Sequence, residues 1–377
     1  VNSPVKSSSN RFLELDVLRG IAAFSVVLFH YTSQYATLFQ HSSALGFYFA
    51  IGRHGVELFF MISGFVILMS IERTKRGLDF VVGRVARLYP AYWIAIALTS
   101  SVMAIAQVST LQVKPIEILI NLTMIQGFFK LPHVDDVYWT LQLELCFYGL
   151  MFAVYRLQWL KQIEKVVVVW VSIAAYLAFK TYTARWGAIV EVPEFSGSVG
   201  SMPLMIAGGK LNLVAELREF FREAFLFKYA HLFTLGIVLY RVKQTGLTWQ
   251  RGATIAVCIL MQKIAYSSET SWETTGFVAA FVVVFYLAIQ GYLKWICVKP
   301  LIFLGTISYS LYLVHQNIGY AMIRSLYQIN VNPNLSILMT TIAMMLIATG
   351  ITFGVERPAL KWIRDRYELW KLHELNS

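Results

Sequence analysis

Ten stretches of this chain are apolar over roughly the length needed to cross a bilayer: about 12–36, 53–71, 88–108, 138–156, 165–183, 224–241, 252–268, 274–291, 301–323 and 335–356. A backbone inside lipid must satisfy its own polar groups, which leaves helices or closed barrels, and runs of this length select helices. The composition agrees. Charged residues are only 14% of the chain and hydrophobic ones 57%, whereas a soluble globule carries about a quarter charged. The chain is therefore expected to be an all-α polytopic membrane protein with about ten transmembrane helices. The apolar but broken stretch 116–130, IEILINLTMIQGFFK, is expected as an additional re-entrant or interfacial segment.

A formal net charge of +11 would by itself suit nucleic acid. The basic residues, however, lie in short intervals between apolar runs, and no basic stripe interleaves with exposed aromatics. Arg73, Lys75, Arg76 and Arg84 follow the second run; Arg156, Lys161 and Lys165 follow the fourth. Arg241, Lys243 and Arg251 follow the sixth, Lys294 and Lys299 the eighth, and Arg357, Lys361, Arg364 and Arg366 the tenth. All fall on one side if 116–130 does not cross, which places both termini in the cytoplasm. On this reading 1–11 is a disordered cytoplasmic tail, 12–360 the transmembrane domain and 361–377 a cytoplasmic C-terminal tail. The outer loop 184–223 is long enough for a lid and too short for a catalytic domain. Cys146, Cys258 and Cys297 form neither a metal spacing nor a disulfide framework.

Ionisable groups at membrane depth are costly and mark functional sites. Arg19 and His30, in LELDVLRGIAAFSVVLFHY, are eleven residues apart, so they share a helical face and lie about 16 Å apart along the axis. His30 suits a general base, and Arg19 suits a phosphate or a developing oxyanion. Asp16, three residues earlier, can pair with Arg19. Glu57 in GVELFFMISGF can orient His30 or hold an acceptor hydroxyl, or serve only as a buried partner for a basic group. Ser63 and Gly64 permit close helix approach. His54, one turn before Glu57, lacks the further ligands of a zinc site, and no metal is expected. Arg84 and Arg87, one turn apart before Pro90, suit a polyphosphate or a lipid headgroup, as well as ordinary anchoring. Tyr89 and Tyr92 suit an interfacial belt. Trp139 sits near the outer boundary with Glu144 deeper, and His315, Gln316 and Asn317 form a polar knot in the ninth run.

These segments together resemble the acyltransferase-3 family of bacterial integral-membrane O-acyltransferases, over about residues 12–360. LDVLRGIAAFSVVLFH resembles its opening Arg–His motif at Arg19 and His30, and GVELFFMISGF its second-helix motif at Glu57, Ser63 and Gly64. RVARLYPAYW is similar to the basic–proline element, YWTLQLE to the Trp–Glu element, ISYSLYLVHQ to the late histidine segment and VERP to the closing motif. Where many relatives carry Asp in the second helix, this chain has Glu57.

The resemblance implies transfer of an acyl group, most often acetyl from acetyl-CoA, to a hydroxyl of a lipid-linked or exported saccharide, within the bacterial cytoplasmic (inner) membrane. His30 would be the base and Arg19 would guide the donor or oppose oxyanion charge. Glu57 and Glu144 would orient His30 or the sugar. Arg84 and Arg87, with Arg73 or Lys75, would hold the CoA phosphates. Asp16, Ser63, Trp139, His315 and Gln316 would support these groups or bind substrate. His30 lies toward the outer half of its helix while acyl-CoA is cytoplasmic, so a donor channel must reach deep. The competing expectation is a proton-coupled transporter of a glycan, lipid or small anion, built from the same buried Arg, His and Glu.

Overall fold

The computed structural model describes residues 12–107, 112–188, 213–265 and 271–376. Residues 1–11 and the greater part of the 184–223 loop lie outside them. Every regular element among the described residues is helical. The elements in chain order are α1 (Leu13–Phe29), α2 (Tyr35–Leu38), α3 (Gly55–Glu72), α4 (Gly77–Ala106) and α5 (Pro115–Asn121), then α6 (Trp139–Arg156), α7 (Ile163–Ala188), α8 (Leu213–Ala224), α9 (Ala230–Thr245) and α10 (Trp249–Ala265). They close with α11 (Ser271–Gln290), α12 (Lys299–Val314), α13 (Gln316–Gln328), α14 (Pro333–Ile351) and α15 (Arg357–Asn376).

Six helical runs are long and apolar enough to cross a membrane by length and composition: Ala50–Glu72, Gly77–Ala106, Asp136–Arg156, Trp159–Thr181, Trp272–Gln290 and Pro333–Glu374. Helices α1, α9, α10 and the α12–α13 pair occupy the other stretches expected to span. The protein is a multi-pass all-α membrane protein.

Two helix pairs set the frame, and each meets at glycines. A Cβ on Gly64 of α3 would sit 2.1 Å from the Phe233 carbonyl of α9, and one on Gly236 would sit 1.9 Å from the Met61 carbonyl. Likewise Gly20 of α1 faces Gly305 of α12, whose added Cβ would lie 2.2 Å from the Asp16 carbonyl. Small residues let backbones touch, which is how helices gain packing where lipid offers no hydrophobic drive between them. Twelve of the sixteen residues of α9 are buried, the exceptions lying at its C-terminal end, so it is an interior helix of the bundle.

The segment after α4 does not cross. Helix α5 has seven residues, about 10 Å of rise. Its end is bound to α4 by Tyr89, Tyr92 and Trp93, which donate to the carbonyls of Thr123, Asn121 and Leu122. Tyr92 is fully buried, so this tyrosine clamps the re-entrant segment instead of standing in an interfacial belt. Pro90, which follows the basic pair in sequence, lies inside the 30-residue helix α4. Arg84 and Arg87 therefore sit on a helix wall. The expected tail 361–377 is helical through Asn376: α14 passes through a π-turn, Thr352–Glu356, into α15. Helix α15 lies along α4, held by Lys371–Asp79 at 3.2 Å and Arg76–Glu374 at 3.1 Å.

Candidate active site

Helix α1 changes into a π-turn at His30–Gln34, a local widening that recurs at functional sites. The imidazole of His30 has Nδ1 2.9 Å from the Val26 carbonyl and 3.1 Å from Nε2 of His315. The two rings meet nearly edge to face, 4.9 Å apart. His315 occupies the single-residue break between α12 and α13, and its Nδ1 lies 2.8 Å from the Tyr312 carbonyl.

A break inside a bundle exposes backbone groups that must find partners. Here distant side chains supply them. Tyr31 donates to the His315 carbonyl at 2.6 Å and Tyr138 to the Leu313 carbonyl at 3.2 Å. Buried Asp135 accepts the Asn317 backbone N–H at 3.0 Å, capping α13, and the Asn317 side chain donates to the Val134 carbonyl. Two segments, the π-turn after α1 and residues 134–138 before α6, thus hold the break that carries His315.

Two cavities converge on this region. One, of about 350 Å³, is lined by His30 with His54, Glu57, Asp136, Trp139 and Gln316. Glu57 stands 3.5 Å from His54, and the buried amide oxygen of Gln316 has no hydrogen-bond partner. The other, of about 650 Å³, is lined by Arg19, Arg84, Arg87, Arg357 and Arg364, together with Ser63 and Glu144. Val56, Phe60 and Tyr312 line both cavities.

The arginines differ in their neutralisation. Arg19 pairs with Asp16 at 3.2 Å and donates to Ser308 Oγ and the Gly305 carbonyl, both at 3.1 Å. Arg87 is ion-paired with buried Glu356, which also accepts from Ser310 at 3.0 Å. Arg84 donates to Ser70 and stacks near Phe80 and Tyr148, while its buried Nε has no partner. Arg364 is close enough to Arg84 and Arg87 for mutual repulsion. No acid among the described residues pairs with Arg84, Arg357 or Arg364. Three guanidiniums without an acid partner, beside the acid-paired Arg19 and Arg87, fit a multiply charged phosphate ligand, which Arg forks bind in bidentate fashion.

Several expectations from sequence meet a different geometry. Arg19 and His30, placed on one face of one helix, open into different cavities. Glu57 and Glu144 do not touch His30: Glu144 accepts from Ser63 at 3.1 Å and Tyr148 at 2.5 Å in the arginine cavity, and Glu57 stands beside His54. Arg73 and Lys75 line neither cavity, so the positions next to the Arg84–Arg87 pair are taken by Arg357 and Arg364. Ser308, Asp136 and Arg364 were not singled out as site residues from sequence. Arg364 is one basic residue among several near the C-terminus, and nothing local marks it.

His30, backed by His315, lines the smaller cavity, which abuts the arginine-lined one at Val56, Phe60 and Tyr312. The acyltransferase-3 family, described as an acyltransferase domain, matches residues 12–353, and the chain belongs to it. It is 28% identical over 119 residues to the exopolysaccharide production protein ExoZ of Rhizobium meliloti (strain 1021), covering 30% of this chain and 37% of that protein. It is 26% identical over 335 residues to BcsY of Komagataeibacter xylinus, provisionally named a membrane-bound transacylase, covering 81% of this chain and 72% of that one. No solved structure matches the chain.

Proposed function

We propose that this protein is a membrane O-acyltransferase that moves an acyl group from acyl-CoA, acetyl by default, to a hydroxyl of an exported or lipid-linked saccharide. The observation that carries the reading is the abutment of the two cavities at Val56, Phe60 and Tyr312, with His30 on one side and the arginine wall on the other. Family membership and the names of ExoZ and BcsY support the acyl chemistry and the saccharide acceptor.

In this reading Arg84, Arg357 and Arg364 hold the phosphates of the donor at the cytoplasmic side, and Arg19, oriented by Asp16 and Ser308, guides the arm that carries the thioester. The unpaired Arg84 Nε supports this assignment. On the opposite side Trp139 offers a ring face to a sugar, and Glu57, Asp136 and Gln316 accept its hydroxyl protons in hydrogen bonds. His30 takes the proton of the reacting hydroxyl as the new C–O ester bond forms at the acyl carbon. The C–S bond then breaks and the thiolate recovers that proton from His30, so the imidazole is unchanged over the cycle. We place the protein in the bacterial cytoplasmic membrane with both termini inside.

The test is transfer of label from radiolabelled acetyl-CoA to a panel of cell-envelope glycolipids by purified protein in liposomes, beside His30→Ala. Label on a glycan with the parent alone supports the assignment. Accumulation of unmodified glycan inside sealed liposomes, without CoA release, would favour a transporter instead.

A further inference from the structure

The established geometry of His30 leaves open which of its nitrogens is the base. A carbonyl oxygen only accepts, so the 2.8 Å contact between His315 Nδ1 and the Tyr312 carbonyl places a proton on that Nδ1. A neutral His315 then presents a lone pair at Nε2. That lone pair lies 3.1 Å from Nδ1 of His30, which is also 2.9 Å from the Val26 carbonyl. Both neighbours of His30 Nδ1 are acceptors, so its proton resides there and Nε2 is left with the lone pair.

We propose that His315 is a positioning residue that acts through His30: the chain Tyr312 carbonyl–His315–His30 locks His30 in the Nδ1–H form and turns its basic Nε2 to the substrate. The proposal rests on the reading of His30 as the general base. It replaces the carboxylate of a catalytic triad by a neutral imidazole, because Glu57 and Glu144 are engaged elsewhere. When His30 accepts the substrate proton, the positive ring still donates from Nδ1 to two acceptors, and His315 stabilises it without carrying a charge of its own. The helix break serves this arrangement: it frees the Tyr312 carbonyl from helical pairing with residue 316, so that it can orient His315. Tyr31, Tyr138 and Asp135 fix the break itself.

A purely structural His315, capping α12 through Nδ1, predicts the opposite ranking of two substitutions. In His315→Asn the amide N–H₂ reaches the Tyr312 carbonyl but offers no acceptor to His30. In His315→Gln the longer side chain brings its carbonyl oxygen near the former Nε2 position. Expected is a fall in kcat of at least about tenfold for His315→Asn, with KM for donor and acceptor within about twofold of the parent, and recovery of most of that loss in His315→Gln. Nitrogen-15 NMR of histidine-labelled parent protein in nanodiscs reads the tautomer without substrate. A protonated Nδ1 and bare Nε2 on His30 are expected. A protonated Nε2 on His30, or an Asn variant as active as the parent, overturns the proposal. Absence of transfer by the parent overturns the acyltransferase reading instead, and the nitrogen shifts still decide the tautomer.

Discussion

Arg87 of α4 and Glu356, in the π-turn that ends α14, are ion-paired although 269 residues separate them in sequence. Glu356 is 1% exposed and Arg87 is 30% exposed at its side chain, so the acid depends on this contact and on Ser310. The pair fastens the long α14–α15 rod to the helix that carries Arg84. Glu356→Gln is expected to destabilise the fold by about 2 kcal/mol, less than a fully buried pair because Arg87 meets solvent. Thermal unfolding in detergent, followed by tryptophan fluorescence, checks it; a melting temperature equal to the parent's would remove the fastening role.

The contact of α1 with α12 predicts that Gly305→Ala is damaging, because its Cβ would meet the Asp16 backbone, which has no flexible end to swing away. Overpacking of this kind costs about 1–3 kcal/mol, and the displaced α1 would pull Arg19 from Ser308. Gly149→Ala is the control, since nothing lies within 4 Å of its added Cβ. Unfolding temperatures and transfer rates of the two variants should diverge; equal behaviour would mean that the helices separate without consequence.

Arg364 lies on the helix beyond the last apolar run and lines the arginine cavity. Arg364→Ala and Arg84→Ala are each expected to raise KM for acyl-CoA about three- to tenfold, the loss of one charge-assisted hydrogen bond tempered by solvent. KM for the acceptor should not move. Steady-state kinetics against dephospho-CoA and CoA donors would locate the contact, and a change confined to the acceptor would place these arginines elsewhere.

Acidification should loosen the protein through His133, in the connection between the re-entrant segment and α6. Burial pushes its imidazole down to about 4, and its Nδ1 lies 2.6 Å from the Gln126 amide nitrogen. An unfolded histidine binds a proton below about pH 6.5. Between these values the unfolded chain holds more protons, so stability falls as the pH is lowered through that window. His41, also pushed down by burial, adds to the same trend. The expected loss from His133 between pH 7 and 5 is about 1–2 kcal/mol. A melting-temperature series on the parent and His133→Asn should show a shallower slope in the variant; parallel slopes would exonerate this residue.

The apolar runs and the Asp16–Arg19 pair were legible because they are local: hydropathy over twenty residues and a three-residue helical spacing need no partner from afar. The seven-residue α5 was legible for the same reason, as a run too broken to cross. The break at His315 was not. Neither Gly nor Pro marks it, and the carbonyls beside it accept from Tyr31 and Tyr138, which no local pattern connects to it. Pro90 marks no element boundary: a proline is tolerated inside α4, since in a bundle neighbouring groups re-satisfy the backbone it frees. The His30–His315 contact spans 285 residues, and the close approach of Gly20 to Gly305 packs α1 on α12, the helix that ends at His315.

Val56, Phe60 and Tyr312, the residues common to both cavities, have a consequence for the cell that houses the protein. An aqueous hole through a membrane would short-circuit the ion gradients from which the cell draws its work. If the two cavities face opposite sides of the membrane, as the proposed function has it, two apolar side chains and one phenol, its hydroxyl engaged by Thr140 at 3.0 Å, are what would keep the compartments electrically apart. In that reading only a thioester a few atoms wide would need to pass, so chemistry would reach across a barrier that stays closed to ions.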